Sequence, residues 1–123
     1  MNKILLIGND PESKQALRRQ LSELGLEVEE AAAGEEAVKR CAADDYGLVI
    51  ADLDIPVMCG LPFVQRLKLR NPDLPVIVLS AFQTLQNTAT ALRCGADALM
   101  GKPVDPGAFQ EAVRFLCAGA SAR

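Results

Sequence analysis

Three residues of unlike chemistry each follow a short apolar run: Asp52 after Leu48-Val49-Ile50-Ala51, Ser80 after Val76-Ile77-Val78-Leu79, and Lys102 soon after Ala98-Leu99-Met100. A carboxylate, a hydroxyl and an amine brought together suit transfer of a phosphoryl group. Asp52 can attack phosphorus as a carboxylate nucleophile and form an acyl phosphate. Charge on the equatorial oxygens of the transferring group would be met by the Lys102 ammonium, the Ser80 hydroxyl and the Ala81 backbone amide. A Mg²⁺ serving such a site takes oxygen ligands: carboxylates, a carbonyl and waters from the same loops.

These residues meet only if the apolar runs are parallel neighbours. Ile4 to Ile7, Leu48 to Ala51 and Val76 to Leu79 are unbroken apolar segments, the pattern of strands buried on both faces. Asp10 as N-cap and Pro11 at the first helical position open a helix that presents Leu17, Leu21 and Leu24 before Gly25 stops it. Leu26 to Glu30 alternates apolar and acidic residues, as a strand near the sheet edge would. Gly34 to Ala43 is a second helix with Ala37, Val38 and Cys41 on one side, and Phe63, Val64 and Leu67 form a third helical face. Leu85, Ala89 and Leu92 make the thin apolar stripe of a polar fourth helix closed by Gly95. The last strand runs through Ala98-Leu99-Met100, and the last helix buries Phe109, Ala112, Val113 and Leu116.

Strands alternating with helices in this way predict an α/β domain with a parallel sheet covered on both faces. Right-handed crossovers and short loops leave few topologies. The favoured one is the flavodoxin-like (βα)5 order 2-1-3-4-5, taken from that fold class. Residues 1–118 form the single domain and residues 119–123 a flexible tail of small side chains. In a sheet wound this way the site lies outside the C-terminal strand ends, where the strand order reverses. Gly8-Asn9-Asp10, Asp52, Ser80-Ala81 and Lys102-Pro103 all fall there.

Composition removes several alternatives. A net charge of −3 leaves no basic footprint for direct nucleic-acid binding. The chain has no histidine, which excludes His-based acid–base catalysis, His metal sites and a phosphohistidine donor within this chain. The four cysteines, Cys41, Cys59, Cys94 and Cys117, form no C-x-x-C pair and read as small thiols of a reducing cytoplasm. The first apolar run is too short for a signal-peptide core or a membrane span, so the expected location is cytoplasmic. A flavin- or nucleotide-binding enzyme of the same fold class would cradle phosphate in a glycine-rich turn. Asn9-Asp10-Pro11-Glu12 instead offers carboxylates that repel phosphate and a proline that removes an amide donor, and no G-x-G-x-x-G or P-loop occurs.

Over essentially its whole length the chain resembles the receiver domains of two-component response regulators. Asp52-Leu53-Asp54-Ile55-Pro56-Val57-Met58-Cys59-Gly60 is similar to the family's phosphoacceptor loop, D-L-x-M-P-x-M-D-G. Ile77-Val78-Leu79-Ser80-Ala81 resembles its strand ending in Thr/Ser-Ala. Gly95-Ala96-Asp97 followed by Lys102-Pro103 resembles its G-A-x-x-Y-x-x-K-P segment. The resemblance implies that Asp52 takes a phosphoryl group from the phosphohistidine of a histidine kinase or phosphotransfer protein. It further implies that Lys102 pairs with the product, that the Lys102–Pro103 peptide is cis, and that Ser80 acts as a switch with the residue at position 99. Enzymatic activity would extend no further than Mg²⁺-dependent self-phosphorylation and autodephosphorylation. The partners implied are a kinase, a downstream effector or a C-terminal output domain, and a second copy docking through the fourth helix, last strand and last helix.

Two departures stand out. The family carries adjacent acidic residues after the first strand, and here Gly8 and Asn9 take those places. The metal ligands expected are then the Asn9 amide oxygen, Asp52 and the Asp54 backbone carbonyl, with Asp10 as a further candidate, and Mg²⁺ binding is expected to be weaker. Leu99 stands where receivers often have an aromatic that moves with the Thr/Ser, so output through that face must use other contacts. Each site residue also has a plainer explanation: a strand-end turn carboxylate for Asp52, a helix cap for Ser80 and for Asp10, a surface lysine for Lys102, a core side chain for Leu99. Gly8, Asn9 and Leu99 speak for a second function, a pseudo-receiver that binds partners without phosphorylation.

Overall fold

The apolar runs lie side by side as parallel strands. In a computed structural model that describes residues 3–8, 10–53, 62–81 and 84–122, the strands are β1 (Lys3–Ile7), β2 (Glu27–Ala31), β3 (Leu48–Leu53), β4 (Val76–Ser80) and β5 (Ala98–Gly101). The helices are α1 (Pro11–Glu23), α2 (Gly34–Ala43), α3 (Pro62–Arg70), α4 (Leu85–Arg93) and α5 (Pro106–Ala122). The sheet order is β2-β1-β3-β4-β5, and every pairing is parallel. This is the flavodoxin-like arrangement expected from the sequence.

Strand alternation sorts the core into two layers. Ile4, Leu6, Leu48, Ile50, Ile77 and Leu79 pack with Leu17 and Leu21 of α1 and Phe109 and Val113 of α5. Leu5, Ile7, Val49, Val76, Val78 and Leu99 pack on the other face with Ala37 of α2, Val64 and Leu67 of α3 and Ala91 of α4. Burying a side chain such as Phe109, fully shielded here, contributes about 2–3 kcal/mol. Gly25 and Gly95, with φ of 76° and 112°, reverse the chain after α1 and α4, where a side chain would be strained. Cys41, Cys94 and Cys117 are half-buried beside the two layers, and burial pushes the Cys41 thiol up to about 11. Cys59 lies outside the described residues.

One local expectation needs correction. The apolar stripe of α4 faces outward: Leu85 is 88% exposed and Leu92 49%, and Ala89 is exposed too. Asn87 and Ala91 face the sheet instead. Ala91 allows the close helix–sheet approach that Leu85 or Leu92 would prevent. The last helix, α5, continues to Ala122. Ala118, Ala120 and Ala122 favour helix, and no proline interrupts them.

β2 forms one edge of the sheet, and two of its three glutamates, Glu29 and Glu30, are engaged. Glu29 accepts from the Tyr46 hydroxyl at 2.6 Å and pairs with Lys3 and Arg40, each at 3.4 Å. Glu30 pairs with Lys14 at 3.2 Å and Arg18 at 2.7 Å. No helix among the described residues is long and apolar enough to cross a membrane.

Candidate functional site

The strand register carries the candidate residues to one end of the sheet. Asp52 lies across from Leu79, Leu53 from Ser80, and Ser80 from Gly101, the residue before Lys102. The Lys102 amide donates to the Ser80 carbonyl at 3.1 Å, which fixes the turn after β5 onto the end of β4. From there the Lys102 Nζ reaches 2.7 Å from Asp52 Oδ1. The Lys102–Pro103 peptide is cis.

Burial gives this pair its character. The Asp52 side chain is 1% exposed, and its second oxygen, Oδ2, has no hydrogen-bond partner among the described residues. A carboxylate oxygen withdrawn from water without a donor is expensive, and a single lysine offsets only part of that cost. The arrangement therefore keeps an anionic, unengaged oxygen ready for an incoming group.

Gly8 forms the wall beside this carboxylate. Its amide donates to Ala31 O at 3.1 Å, extending the β1–β2 ladder by one bond. A Cβ at Gly8 would stand 3.2 Å from both Asp52 Cβ and the Asp52 carbonyl oxygen, and 3.7 Å from Oδ2. Position 8 thus touches the candidate nucleophile and contributes no charge to it. Asp10 is half-buried and caps α1, its Oδ1 accepting from the Glu12 amide at 3.2 Å. Asn9 and Asp54, the other expected metal ligands, lie outside the described residues.

Ser80 is fully buried at the end of β4, and Ala81 is exposed just beyond it. Leu99 packs in the core layer shared with Val78 and Ala91. An open groove of about 510 Å³ runs beside the site, lined by Lys102, Pro103 and Val104 and by Asp10, Glu12 and Gln20. Two features escaped the sequence reading: the contact of Gly8 with Asp52, and the burial of Asn87. The Thr84 hydroxyl accepts from the Asn87 backbone amide at 3.1 Å as the cap of α4, but no sequence signal marks the burial of the Asn87 side chain.

Residues 4–114 match the family model described as the response regulator receiver domain. The chain belongs to the receiver domain family. This receiver is 38% identical over 118 residues to the transcriptional activator protein ExaE of Pseudomonas putida, covering 94% of this chain and 55% of that protein. It is 31% identical over 111 residues to the response regulator protein PilR of Pseudomonas aeruginosa, covering 90% of this chain and 25% of that one. The receiver thus spans about half the length, or less, of the curated relatives it matches. Among solved structures, a CheY-like receiver domain protein from Methanospirillum hungatei JF-1 shares the fold with a TM-score of 0.87 at 24% identity, covering 99% of this chain and 98% of that one.

Receiver domains generally bind Mg²⁺, and one feature of this site fits such an ion. The buried Oδ2 of Asp52 is an anionic acceptor with no donor among the described residues, as an oxygen-coordinated cation requires of a ligand. Gly8 supplies no side-chain ligand, and the Asp10 carboxylate is occupied at the helix cap.

Proposed function

We propose that this receiver is a phosphorylation-controlled switch that accepts a phosphoryl group on Asp52 from the phosphohistidine of a partner kinase or phosphotransfer protein. The observation that carries this is the buried Asp52–Lys102 pair at 2.7 Å with one carboxylate oxygen left unengaged. In the transfer Oδ2 forms a bond to phosphorus while the phosphorus–nitrogen bond to the donor imidazole breaks. Lys102 holds the carboxylate in place and then faces the oxygens of the product. The Ser80 hydroxyl and the Ala81 amide bind the remaining phosphoryl oxygens.

Asn9, Asp52 and the Asp54 backbone carbonyl would hold Mg²⁺, with Asp10 joining if it leaves its cap. Bound there, the ion neutralises charge on the transferring group. With Gly8 and Asn9 both neutral, the site holds the ion less tightly than an acidic pair would. Self-phosphorylation from a small phosphodonor and slow hydrolysis of the acyl phosphate are the only chemistry proposed, and the cytoplasm is the expected location. Phosphorylation shifts a two-state equilibrium, read by an effector, an output domain or a second copy at the face of α4, β5 and α5.

Incubation with acetyl phosphate and Mg²⁺ followed by intact-mass measurement tests this. The parent should gain one phosphoryl group and Asp52→Asn none. A second reading, an interaction module that works without phosphate, is favoured by the uncharged Gly8 against Asp52 and by the engagement of Asp10 in its cap. No mass gain in the parent under forcing conditions would select it.

A further inference from the structure

Among the described residues, three polar side chains are buried: Asp52, Ser80 and Asn87. The first two belong to the site already described. The third lies in the first turn of α4, on the helix that follows β4, and is 5% exposed. A buried side-chain amide is tolerated only when hydrogen-bonded, and neither Asn87 amide atom is among the unpaired buried polar atoms. An alanine at this point of a helix would pack with less cost, so packing alone does not account for an asparagine.

Position connects Asn87 to the site. Strand alternation puts Ser80 on the same sheet face as Val78, and Val78 pairs across the sheet with Leu99. Val78 and Leu99 pack with Ala91 of α4. Asn87 is one helical turn before Ala91 on the same stripe, and so nearer the C-terminal ends of the strands, where Ser80 sits. Ser80 and Asn87 therefore lie on one face toward one end, with Leu99 two residues further down the same face. Leu99 offers neither a ring nor a polar group that could register movement of the Ser80 hydroxyl. The opposite side of the same helix displays Leu85, Ala89 and Leu92 to solvent.

We propose that Asn87 is a positioning residue that relays the state of Asp52 to α4: when Ser80 engages a phosphoryl oxygen, the Asn87 hydrogen bonding at this end changes and the first turn of α4 moves with it. The proposal rests on the Asp52 switch. It goes further in naming the residue through which that switch would reach an outward-facing helix.

The test uses amide spectra of the nitrogen-labelled chain with and without beryllium fluoride and Mg²⁺, a stable mimic of the aspartyl phosphate. In the parent, shifts are expected at Asp52 and Lys102 and along Leu85–Arg93. Asn87→Ala should keep the shifts at Asp52 and Lys102 and lose those along α4, and Asn87→Ser, which retains a small hydroxyl, should restore part of them. Unchanged α4 shifts in Asn87→Ala would overturn the relay. So would loss of all shifts in both variants together with a fall in Tm, which would make Asn87 a residue of the fold only. A parent that responds at the site but not in α4 would overturn the relay and leave the Asp52 switch standing. A parent with no response at Asp52 or Lys102 would overturn both.

Discussion

At the N-terminal edge of the sheet Lys3 meets Asp44 and, at 3.4 Å, Glu29; at the C-terminal edge Lys102 meets Asp52 at 2.7 Å. The lower cluster is crowded with partners and open to water. Glu29 also takes the Tyr46 hydroxyl and Arg40, Lys3 stands 5.2 Å over the Tyr46 ring, and the Asp44 side chain is 51% exposed. It joins the start of β1 and the middle of β2 to the turn before β3, and its charges are screened. The upper pair is the reverse, a nearly inaccessible carboxylate that meets, among the described residues, one cation and has one oxygen without a donor. The same residue types thus serve as a staple in one place and, on the function proposed here, as the phosphoacceptor site in the other. Burial with incomplete pairing distinguishes the second, since it is costly unless another group uses it.

Removing the lysine from each pair should separate the two most sharply. Lys102→Ala leaves a buried charge alone and should cost about 3 kcal/mol in urea unfolding. Adding Asp52→Asn to that variant should recover much of the loss, and purely additive losses would contradict the coupling. Next in size is Gly8→Asp with Asn9→Asp, which brings two carboxylates to the neighbourhood of Asp52. Like-charge repulsion should lower stability by about 1–2 kcal/mol without metal. Mg²⁺ should then raise the Tm of the variant more than that of the parent. Equal Mg²⁺ responses would mean that the ion binds elsewhere.

The lower cluster should give smaller effects. The Tyr46 hydroxyl, with help from Lys3, holds the Glu29 carboxyl below the usual glutamate range. The folded chain therefore binds that proton less readily than the unfolded one, so the stabilisation is present at neutral pH and fades as pH falls through the folded value. The Tm gap between the parent and Glu29→Gln should be widest at neutral pH and close in acid; a gap that widens in acid would reverse the assignment. Lys3→Ala should show the smallest loss of the four, shrinking further with added salt.

Much of the fold was legible because its signals are redundant. Unbroken apolar runs mark β1, β3 and β4, the Asp10-Pro11 pair marks the start of α1, and Leu17 and Leu21 or Phe109 and Val113 repeat at helical spacing. The orientation of α4 was not legible. Leu85, Ala89 and Leu92 define an apolar face, but periodicity does not say whether that face turns inward. Close packing against the sheet favoured small Ala91 on the inward face, a choice made by space that appears only once the strands are assembled, and Asn87 shares that face. At the site, the juxtaposition of Asp52 and Lys102 followed from topology alone, since both end strands at the same edge. The contact of Gly8 with Asp52 did not, because it depends on how closely β1 and β3 approach at their ends.

The acidic flank of the sheet has a consequence for how this domain associates. β2 is an edge strand with the sequence Glu-Val-Glu-Glu-Ala, so an incoming strand from another chain would have to lie along charged side chains, Glu29 and Glu30 with their Lys and Arg partners among them. Those side chains guard an exposed ladder against strand addition and fibrillar stacking. Assembly that lengthened the sheet through β2 would have to desolvate these charged groups, whereas contact through the helical faces would not.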